Sequence, residues 1–209
     1  ALDFLKKRIE ESREEKITLV AADKGMEWFM KNREFIPDLA IGDFDSLSEE
    51  GQKYMESLKG PEIIRLKPEK DDSDTQSAVN QMIRKGAKDI LILGATGNRV
   101  DHLWANIQTL MIPFKAGIEA VILDPMNRIR LIGGETHLKK EEAFGNYFSV
   151  FPLGGTVYEL NIKGAKYPLA DHTLTPYDSL CVSNQIEDDE VVIDFSSGVV
   201  ILMETRDKE

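Results

Sequence analysis

Four short clusters of polar residues in the first half of this chain could do chemistry, and each one follows a predicted strand. Three clusters are rich in aspartate, and the fourth combines small residues with an arginine and an aspartate. In chain order they contain Asp23, the pair Asp43 and Asp45, the pair Asp71 and Asp74, and the run 94–102 with Arg99 and Asp101. Because strands of one parallel sheet point the same way, we expect these loops to meet at one edge of the sheet, where open α/β folds bind ligands.

Several carboxylates at one edge of a sheet repel each other unless a cation lies between them. Hard divalent cations take oxygen ligands, and Mg²⁺ usually binds together with the phosphates of a substrate. The clusters therefore indicate, first of all, an enzyme that acts on a magnesium nucleotide.

Asp43 and Asp45 lie two residues apart, just past the end of a predicted strand. If the backbone is still extended there, both side chains lie on the same side. Both can then bind one Mg²⁺, or one can bind it directly and the other through water. A turn rich in aspartate is the plain structural alternative. The run Gly-Asp-Phe-Asp-Ser after an apolar strand is, however, more specific than an isolated pair of aspartates.

Asp71 and Asp74 flank a predicted helix start, and Asp74 lies in the first turn. The helix dipole stabilises an acidic side chain there, so the pair taken alone fits a structural role as well as a functional one. Ser73 and Gln76 have the spacing of a capping box, which predicts that the helix begins at this point.

Residues 94–97, Gly-Ala-Thr-Gly, are small enough for backbone N–H groups to approach phosphate oxygens. The run is neither a Walker A sequence nor a Rossmann fingerprint, so by itself it does not identify a phosphate site. Arg99 strengthens the interpretation of this loop as a phosphate site. A guanidinium can hold a phosphate in a fork and offset charge during phosphoryl transfer. Asp101 can be a ligand or can orient a neighbour. His102 is at a helix start, where a histidine is more often a surface or packing residue.

The elements that must position these residues follow from apolar periodicity and from turn residues. Trp104 falls on an apolar helical stripe, which predicts core packing, and Asn106 fits polar filler on the same helix. Alternation of strands and helices predicts a parallel sheet with helices on its faces. The predicted strands are 17–22, 39–42, 62–66, 90–93 and 118–123, and the predicted helices are 1–15, 26–30, those that begin at Ser48 and Ser73, and 100–111.

After Arg128 the helical periodicity ends and short β-rich runs follow, at 147–151, 156–162, 179–183, 191–195 and 199–203. Regularly spaced short strands are typical of a small sandwich or barrel. The predicted fold class is α/β: an N-terminal open, mostly parallel sheet with helices on both faces, followed by a C-terminal all-β sandwich. The predicted domains are 1–128 and 129–209.

Charge and composition exclude some partners. The net charge of −11 argues against nucleic acid and anionic membrane as partners. Cys181 is the single cysteine of the chain, which agrees with a reducing compartment, so we expect a cytoplasmic protein. No apolar run in the sequence is long enough to span a bilayer. Because Ala1 lies inside a predicted helix, we expect a further strand upstream of it.

These motifs, in this order, resemble those of the thiamine pyrophosphokinase family. The family pattern is Ala-Asp-Gly-Gly, Gly-Asp-Phe-Asp-Ser, Lys-Asp-x-Thr-Asp, then Gly-x-x-Gly-x-Arg-x-Asp-His with Ala-Asn downstream. The corresponding runs are 22–25, 42–46, 70–74, 94–102 and 105–106. Runs 163–169 and 183–184 are similar to the stretches that form the family's thiamine pocket.

The resemblance implies transfer of a pyrophosphoryl group from MgATP to the hydroxyethyl group of thiamine, which gives thiamine diphosphate and AMP. It also implies a homodimer whose subunits jointly enclose thiamine. Residue roles carry over by position. The implied metal ligands are Asp43, Asp45, Asp71 and Asp74; the implied catalytic residues are Asp43, Asp45, Asp74, Arg99 and Asp101; the implied ATP-binding residues are Asp23, Asp71, Ser73, Gly97, Asn98 and His102; and the implied thiamine-binding residues are Ser183 and Asn184.

The chain departs from the family pattern at a few positions. Lys24 replaces the usual first glycine, and Ser73 replaces threonine while keeping the hydroxyl. Cys181 and Ile186 stand where relatives often have polar or aromatic thiamine contacts.

Three other functions compete with the one that the resemblance implies. The first is a pyrophosphokinase for another hydroxymethyl heterocycle, such as a pterin. The second is a sensor that binds ATP or thiamine without making AMP. The third is a phosphatase in which Asp43 is the nucleophile of an Asp-x-Asp motif, as in the haloacid dehalogenase superfamily.

Overall fold

The computed structural model describes residues 17–67, 69, 71–97 and 99–208, which form two compact units that divide between Ala87 and Lys88. The predicted helix over 1–15 lies outside the described residues, as does Asn98. The predicted domain boundary, after Arg128, falls inside the second unit. Whether that boundary separates two functional parts stays a prediction.

The first unit is a small α/β structure. Its three strands are parallel and adjacent in the order β1, β2, β3, and helices pack around a core that includes Met26, Phe29, Phe44 and Met55. The strands are β1 (Val20–Ala22), β2 (Leu39–Gly42) and β3 (Glu62–Arg65), and the helices are α1 (Met26–Lys31), α2 (Glu49–Ser57) and α3 (Asp74–Arg84).

Two serines begin helices of this unit as predicted. The Ser48 hydroxyl accepts a hydrogen bond from the Gly51 amide at 3.1 Å, and the Ser73 hydroxyl accepts one from the Gln76 amide at 3.2 Å. The reciprocal half of the predicted capping box is replaced, because the Gln76 side chain donates to Asp72 at 2.6 Å. The Ser73 hydroxyl therefore acts as a helix cap.

The second unit contains two sheets that share a core. The helices are α4 (Val100–Thr109) and α5 (Met111–Lys115), and the strands are β4 (Asp89–Leu93), β5 (Glu119–Leu123), β6 (Asn127–Ile132), β7 (Thr136–Lys139), β8 (Tyr147–Pro152), β9 (Val157–Lys163), β10 (Leu169–Leu174), β11 (Glu190–Asp194) and β12 (Val200–Thr205). One sheet has the strand order β4-β5-β6-β12-β8, and the other has the order β10-β9-β11-β7.

The five-stranded sheet has a different partner on each face. Apolar side chains of β8 and β12 join those of β9 and β11 in one buried cluster, which makes the two sheets a sandwich. Ile107 and Leu110 join Ile122, Ile129 and Ile201 in a second cluster, so helical residues cover the same sheet from the other side. The predicted class, α/β with a C-terminal β-sandwich, is confirmed.

The prediction that the first five strands form one sheet is wrong. Strands β1 to β3 form a sheet of their own, while β4 and β5 pair in parallel within the five-stranded sheet. The turn after β5 explains why β5 pairs with an antiparallel strand on its other side. One carboxylate oxygen of Asp124 accepts hydrogen bonds from the amides of Met126 and Asn127, both at 2.7 Å, and the chain returns at once as the antiparallel strand β6.

Two further expectations fail in the second unit. Residues 179–183 form turns rather than a strand, and only isolated bridges follow, such as Asn184 with Phe148. Trp104 is 48% exposed and therefore is not a core residue of this unit. Across the described ranges 17–67, 69, 71–97 and 99–208, every helix is too short or too polar to cross a membrane.

His137 ties strand β7 to its neighbour β11. Its Nδ1 lies 3.1 Å from a Glu190 carboxylate oxygen, and its Nε2 lies 3.2 Å from one of Glu135. These carboxylates, Glu190 first, raise the pKa of His137 above its ordinary value of 6.5. The protonated ring is favoured in the folded state, so its stabilising effect is complete below the unfolded pKa and is lost as the pH rises through the folded pKa.

We expect His137→Gln to lower the urea midpoint at acidic pH and to change it little at alkaline pH. Urea unfolding of wild type and variant from about pH 5 to about pH 9 measures this, since an unperturbed histidine titrates near pH 6.5. Glu190→Gln should remove most of the same pH dependence. A difference between wild type and His137→Gln that stays constant over this range would contradict the interpretation.

Candidate active site

Three aspartates from separate elements of the first unit come together. Asp23 begins the 3₁₀ turn Asp23–Gly25 after β1, Asp43 follows β2, and Asp74 is the first residue of α3. One carboxylate oxygen from each lies within 4.8 Å of the others. Parallel pairing of β1 with β2, in which Ala22 is opposite Ile41, explains why the residues just after these strands meet.

Gly42 makes the close approach of the first two aspartates possible. A Cβ atom at this position would lie 3.0 Å from the Asp23 Cα and 3.1 Å from the Asp23 Cβ. These separations are too short for ordinary van der Waals contact between carbon atoms. Any larger residue at position 42 would therefore push Asp23 away from Asp43.

Phe44 anchors the loop that carries Asp43 and Asp45. Its side chain is buried in the core of the first unit, and its backbone is left-handed, with φ of 63°. The Asp45 amide donates to an Asp43 carboxylate oxygen at 3.2 Å. The two acidic side chains therefore meet because the backbone turns between them, and the expectation of an extended backbone there is wrong.

The neighbouring carboxylates raise the pKa of Asp45 above its ordinary value. A hydrogen bond with Asp43 and the negative charge of Asp43 raise the pKa of Asp45, and burial, Asp23 and Asp74 act in the same direction. One Asp23 oxygen accepts from the Ser46 hydroxyl at 2.5 Å. The other, Oδ1, is buried and has no hydrogen-bond partner among the described residues.

An unpartnered buried carboxylate oxygen is costly, and it is relieved by a bound cation or by a hydrogen bond. Three half-buried carboxylates with one such oxygen suit a hard divalent cation. The residues Asp23, Asp43 and Asp74 can therefore hold Mg²⁺, and we call them the acidic cluster.

The acidic cluster differs in part from the predicted ligand set. Asp43 and Asp74 lie in it as expected, and Asp45 is exposed beside it. Asp71 lies in an exposed bend outside it. Asp23, predicted only for ATP binding, is in the cluster. The signal for Asp23 was its position directly after β1, the parallel neighbour of β2.

The glycine-rich loop 94–97 belongs to the second unit and follows β4. Gly94 has φ of +72°, which favours glycine, and there is open space around the position of a Cβ at Gly97. Ala95 is buried and Thr96 is half-buried, while both glycines are exposed. The loop thus has the small, open backbone that phosphate binding requires.

Arg99 and Asp101 form a two-pronged ion pair just after this loop. The Arg99 Nε donates to Asp101 Oδ1 at 3.1 Å, and Nη2 donates to Oδ2 at 2.5 Å. The guanidinium lowers the pKa of Asp101 to about 2, and the His102 amide, which donates to Oδ1 at 2.9 Å, acts in the same direction. Asp101 is therefore a weak proton acceptor while the pair holds. Arg99, Asp101 and His102 are all exposed.

The two residues predicted to bind thiamine differ in accessibility. Ser183 is exposed with a left-handed backbone, φ 58°, and its amide donates to the Ser149 hydroxyl at 2.9 Å. Asn184 is only 4% exposed. Its carboxamide accepts from the Tyr167 amide at 3.0 Å and donates to the Tyr167 carbonyl at 2.8 Å. Asn184 thus fixes residue 167 beside Ser183.

Comparison with known proteins agrees with this fold. The family model for the thiamin pyrophosphokinase catalytic domain matches residues 9–122, and the model for the thiamin pyrophosphokinase vitamin B1 binding domain matches 135–200. The chain is 32% identical over 189 residues to a thiamine pyrophosphokinase of Bacillus subtilis, covering 90% of this chain and 87% of that protein.

Solved structures give the same result. A thiamine pyrophosphokinase structure from Bacillus subtilis superposes with a TM-score of 0.84 at 29% identity, covering 93% of this chain and 90% of that chain. One from Geobacillus thermodenitrificans superposes with a TM-score of 0.80 at 28% identity, covering 93% and 89%.

The fold and these family matches define an ATP-dependent diphosphotransferase. Within that class, the chain belongs to the thiamine pyrophosphokinase family. None of the matched families or relatives supports the pterin, sensor or phosphatase alternatives.

The close approach at Gly42 gives a test of the acidic cluster. We expect Gly42→Ala to displace Asp23 and to weaken Mg²⁺ binding on the order of tenfold, equivalent to about 1.4 kcal/mol. Calorimetric titration with Mg²⁺ measures the change. Gly134→Ala is the matched control, since a Cβ there meets open space. Equal Mg²⁺ affinity in Gly42→Ala and wild type would show that the spacing of Asp23 and Asp43 does not matter.

Proposed function

We propose that the chain catalyses Mg²⁺-dependent transfer of the diphosphate of ATP to the hydroxyethyl oxygen of thiamine, with Asp23, Asp43 and Asp74 as the metal-binding residues. The observation that carries the proposal is the convergence of these three carboxylates, one of them with an unpartnered buried oxygen. Bringing such like charges together costs free energy, and a bound cation or ligand offsets that cost.

Bound Mg²⁺ would supply positive charge that offsets charge on the transferred phosphates. Asp45 and Asp71 lie outside the acidic cluster, and we propose that they act on the phosphates through water or bound metal. Ser73 is proposed to act in two ways, since its hydroxyl oxygen accepts the capping hydrogen bond of α3 while its O–H can still donate to a phosphate oxygen. The cap fixes Asp74 at the first position of that helix.

In the proposed reaction the thiamine hydroxyl oxygen attacks the β-phosphorus of ATP, and the bond from that phosphorus to the α–β bridging oxygen breaks to release AMP. The hydroxyl proton passes to Asp101 or to a metal-held carboxylate. Positioning and electrostatic stabilisation supply most of the rate in such transfers. The amides of loop 94–97, together with Asn98 and His102, are proposed to bind phosphate oxygens.

Arg99 is proposed to stabilise the charge on the transferred group. Its pair with Asp101 is exposed, and exposed ion pairs contribute little, so a phosphate can compete for the guanidinium. While the pair holds, the guanidinium lowers the pKa of Asp101 to about 2, and we assign Asp101 to orienting Arg99. Once a phosphate takes the guanidinium, Asp101 is able to accept the hydroxyl proton.

Thiamine is proposed to bind next to Ser183. The exposed hydroxyl of Ser183 and the exposed ring of Tyr167 flank Asn184, which holds both segments through buried hydrogen bonds. An exposed tyrosine ring suits the aromatic, cationic rings of thiamine. In this proposal Asn184 positions the site and does not contact the vitamin.

We further propose a homodimer that encloses thiamine at the subunit interface. Apolar side chains are unusually exposed around the predicted thiamine-binding segments: Tyr177 is 88% exposed and Leu180 is 63% exposed, with Tyr167 and Val182 also exposed. Exposed aromatic and aliphatic side chains of this kind are typical of a protein interface.

The functional division is proposed as 1–128 for the catalytic part and 129–209 for the thiamine-binding part. The two family matches, over 9–122 and 135–200, leave this boundary between them. A cytoplasmic location is proposed, supported by Cys181, which is buried as a free thiol.

The metal assignment predicts the behaviour of two isosteric variants. Asp43→Asn and Asp74→Asn should fold normally but lose at least about a hundredfold in kcat, a range typical of removing one electrostatic contact to a transition state. Circular dichroism and an AMP-release assay with thiamine and MgATP measure fold and turnover.

Asp171→Asn is the control for these variants, because it changes an exposed aspartate with a left-handed backbone that asparagine also tolerates. Retained turnover in both Asp43→Asn and Asp74→Asn would refute the metal assignment. A phosphorylated Asp43 trapped during turnover would instead favour the phosphatase-like mechanism.

The dimer proposal is tested by a charge placed on the exposed apolar segment. We expect Tyr177→Asp and Leu180→Asp to weaken self-association about tenfold or more, as buried interface anchors do. Light scattering after size-exclusion chromatography gives the mass. Tyr158→Asp is the control, since Tyr158 is comparably exposed but lies on β9. A monomeric wild type, or an equal effect of the control, would contradict this proposal.

A further inference from the structure

Asn106 is one of the few buried polar residues in the described part of the second unit, and it is bonded to the glycine-rich loop. Its carboxamide nitrogen donates to the carbonyl oxygen of Ala95 at 2.9 Å, from the middle of α4. Polar filler on a helix surface would not need such a partner. The bond instead joins the helix after the loop to the loop backbone itself.

Asp124 holds the same loop from the other side. The Asp124 carboxylate accepts from the amides of Met126 and Asn127, and the nearby Thr96 hydroxyl helps to lower the pKa of Asp124. Burial would raise the pKa of Asp124, but these hydrogen bonds lower it overall, so the carboxylate stays charged as an acceptor. Thr96 is therefore tied to the turn between β5 and β6.

The sheet register explains why these contacts form. Strands β4 and β5 pair in parallel, with Leu93 opposite Leu123, so the residues that follow them emerge side by side. The loop after β4 and the Asp124 turn after β5 are adjacent for this reason. Asn106 approaches from α4, whose Ile107 packs on the same sheet.

We propose that Asn106 and Asp124 are positioning residues that hold loop 94–97 in the shape that presents its amides to the phosphates of ATP, an inference that rests on the function proposed above. Gly94 and Gly97 leave the loop backbone free to move, because they lack side chains to restrain it. The Asn106 hydrogen bond to Ala95 and the interaction of Thr96 with Asp124 remove that freedom. The ordering is thus in place before the nucleotide arrives, and binding does not have to supply it.

The test removes each bond by a change of similar shape. Asn106→Leu deletes the donor to Ala95, and Thr96→Val deletes the hydroxyl that reaches Asp124. We expect either change to raise the KM for ATP about tenfold, the effect of losing one buried hydrogen bond, while the KM for thiamine changes less than about twofold. Thr96→Ser keeps the hydroxyl and should restore the ATP value.

Thr109→Val is the matched control. Thr109 is also buried on α4, and its hydroxyl also donates to a backbone carbonyl at 2.9 Å, but that carbonyl is Ala105 of the same helix. The Thr109→Val variant should be less stable than wild type, with the KM for ATP and the KM for thiamine both unchanged. A role in stability alone would make Asn106→Leu behave as Thr109→Val does.

Hydrogen exchange without ligand provides a second readout. The amides of Ala95, Thr96 and Gly97 should exchange faster in Asn106→Leu and Thr96→Val than in wild type, and at the wild-type rate in Thr109→Val. Unchanged exchange and unchanged KM for ATP in an active enzyme would overturn this inference alone. Wild-type protein that releases no AMP from ATP and thiamine would overturn the proposed function instead.

Discussion

Repulsion among carboxylates is the constraint on which the first unit depends. Asp23, Asp43 and Asp74 come from three elements, yet one oxygen of each lies within 4.8 Å of the others. The surrounding structure forces this proximity. Parallel pairing brings β1 and β2 together, Gly42 leaves no side chain between their loops, and Ser73 fixes the start of α3. The core therefore stores an electrostatic cost that a cation relieves, which is common at functional sites.

In the second unit, loop 94–97 is held in place differently, by a neutral hydrogen bond from Asn106 and by the carboxylate of Asp124. Asp124 turns the chain into β6, and the Thr96 hydroxyl interacts with the same carboxylate and helps to lower its pKa. The turn that brings β6 beside β5 is therefore also the feature that lies against the loop after β4. Topology and site geometry have a common cause here, and a change at Asp124 would disturb both.

Much of the secondary structure and the fold class could be predicted from the sequence, because local sequence patterns determine them. Five strands of the α/β portion, the caps at Ser48 and Ser73, and the sandwich class all follow from periodicity and turn residues. Sheet membership could not be predicted, because strand periodicity does not show which strands pair: β1 to β3 form one sheet, while β4 and β5 pair within another. The exposure of Trp104 was missed because a helical stripe shows which residues share a face but not whether another element covers that face. Asn106 looked like filler because its partner, Ala95, is a backbone carbonyl.

Strand β12 lies between β6 and β8 in the five-stranded sheet, although it comes after both in the chain. Each of its residues pairs with both neighbours, from Val200 beside Ile132 and Pro152 to Thr205 beside Asn127 and Tyr147. During synthesis, the edges of β6 and β8 that face β12 therefore stay unpaired until residues 200–205 leave the ribosome, whereas β1 to β3 of the first unit pair with one another earlier. Pairings so distant along the chain close slowly. Chaperone dependence of this protein should accordingly be concentrated in its second unit.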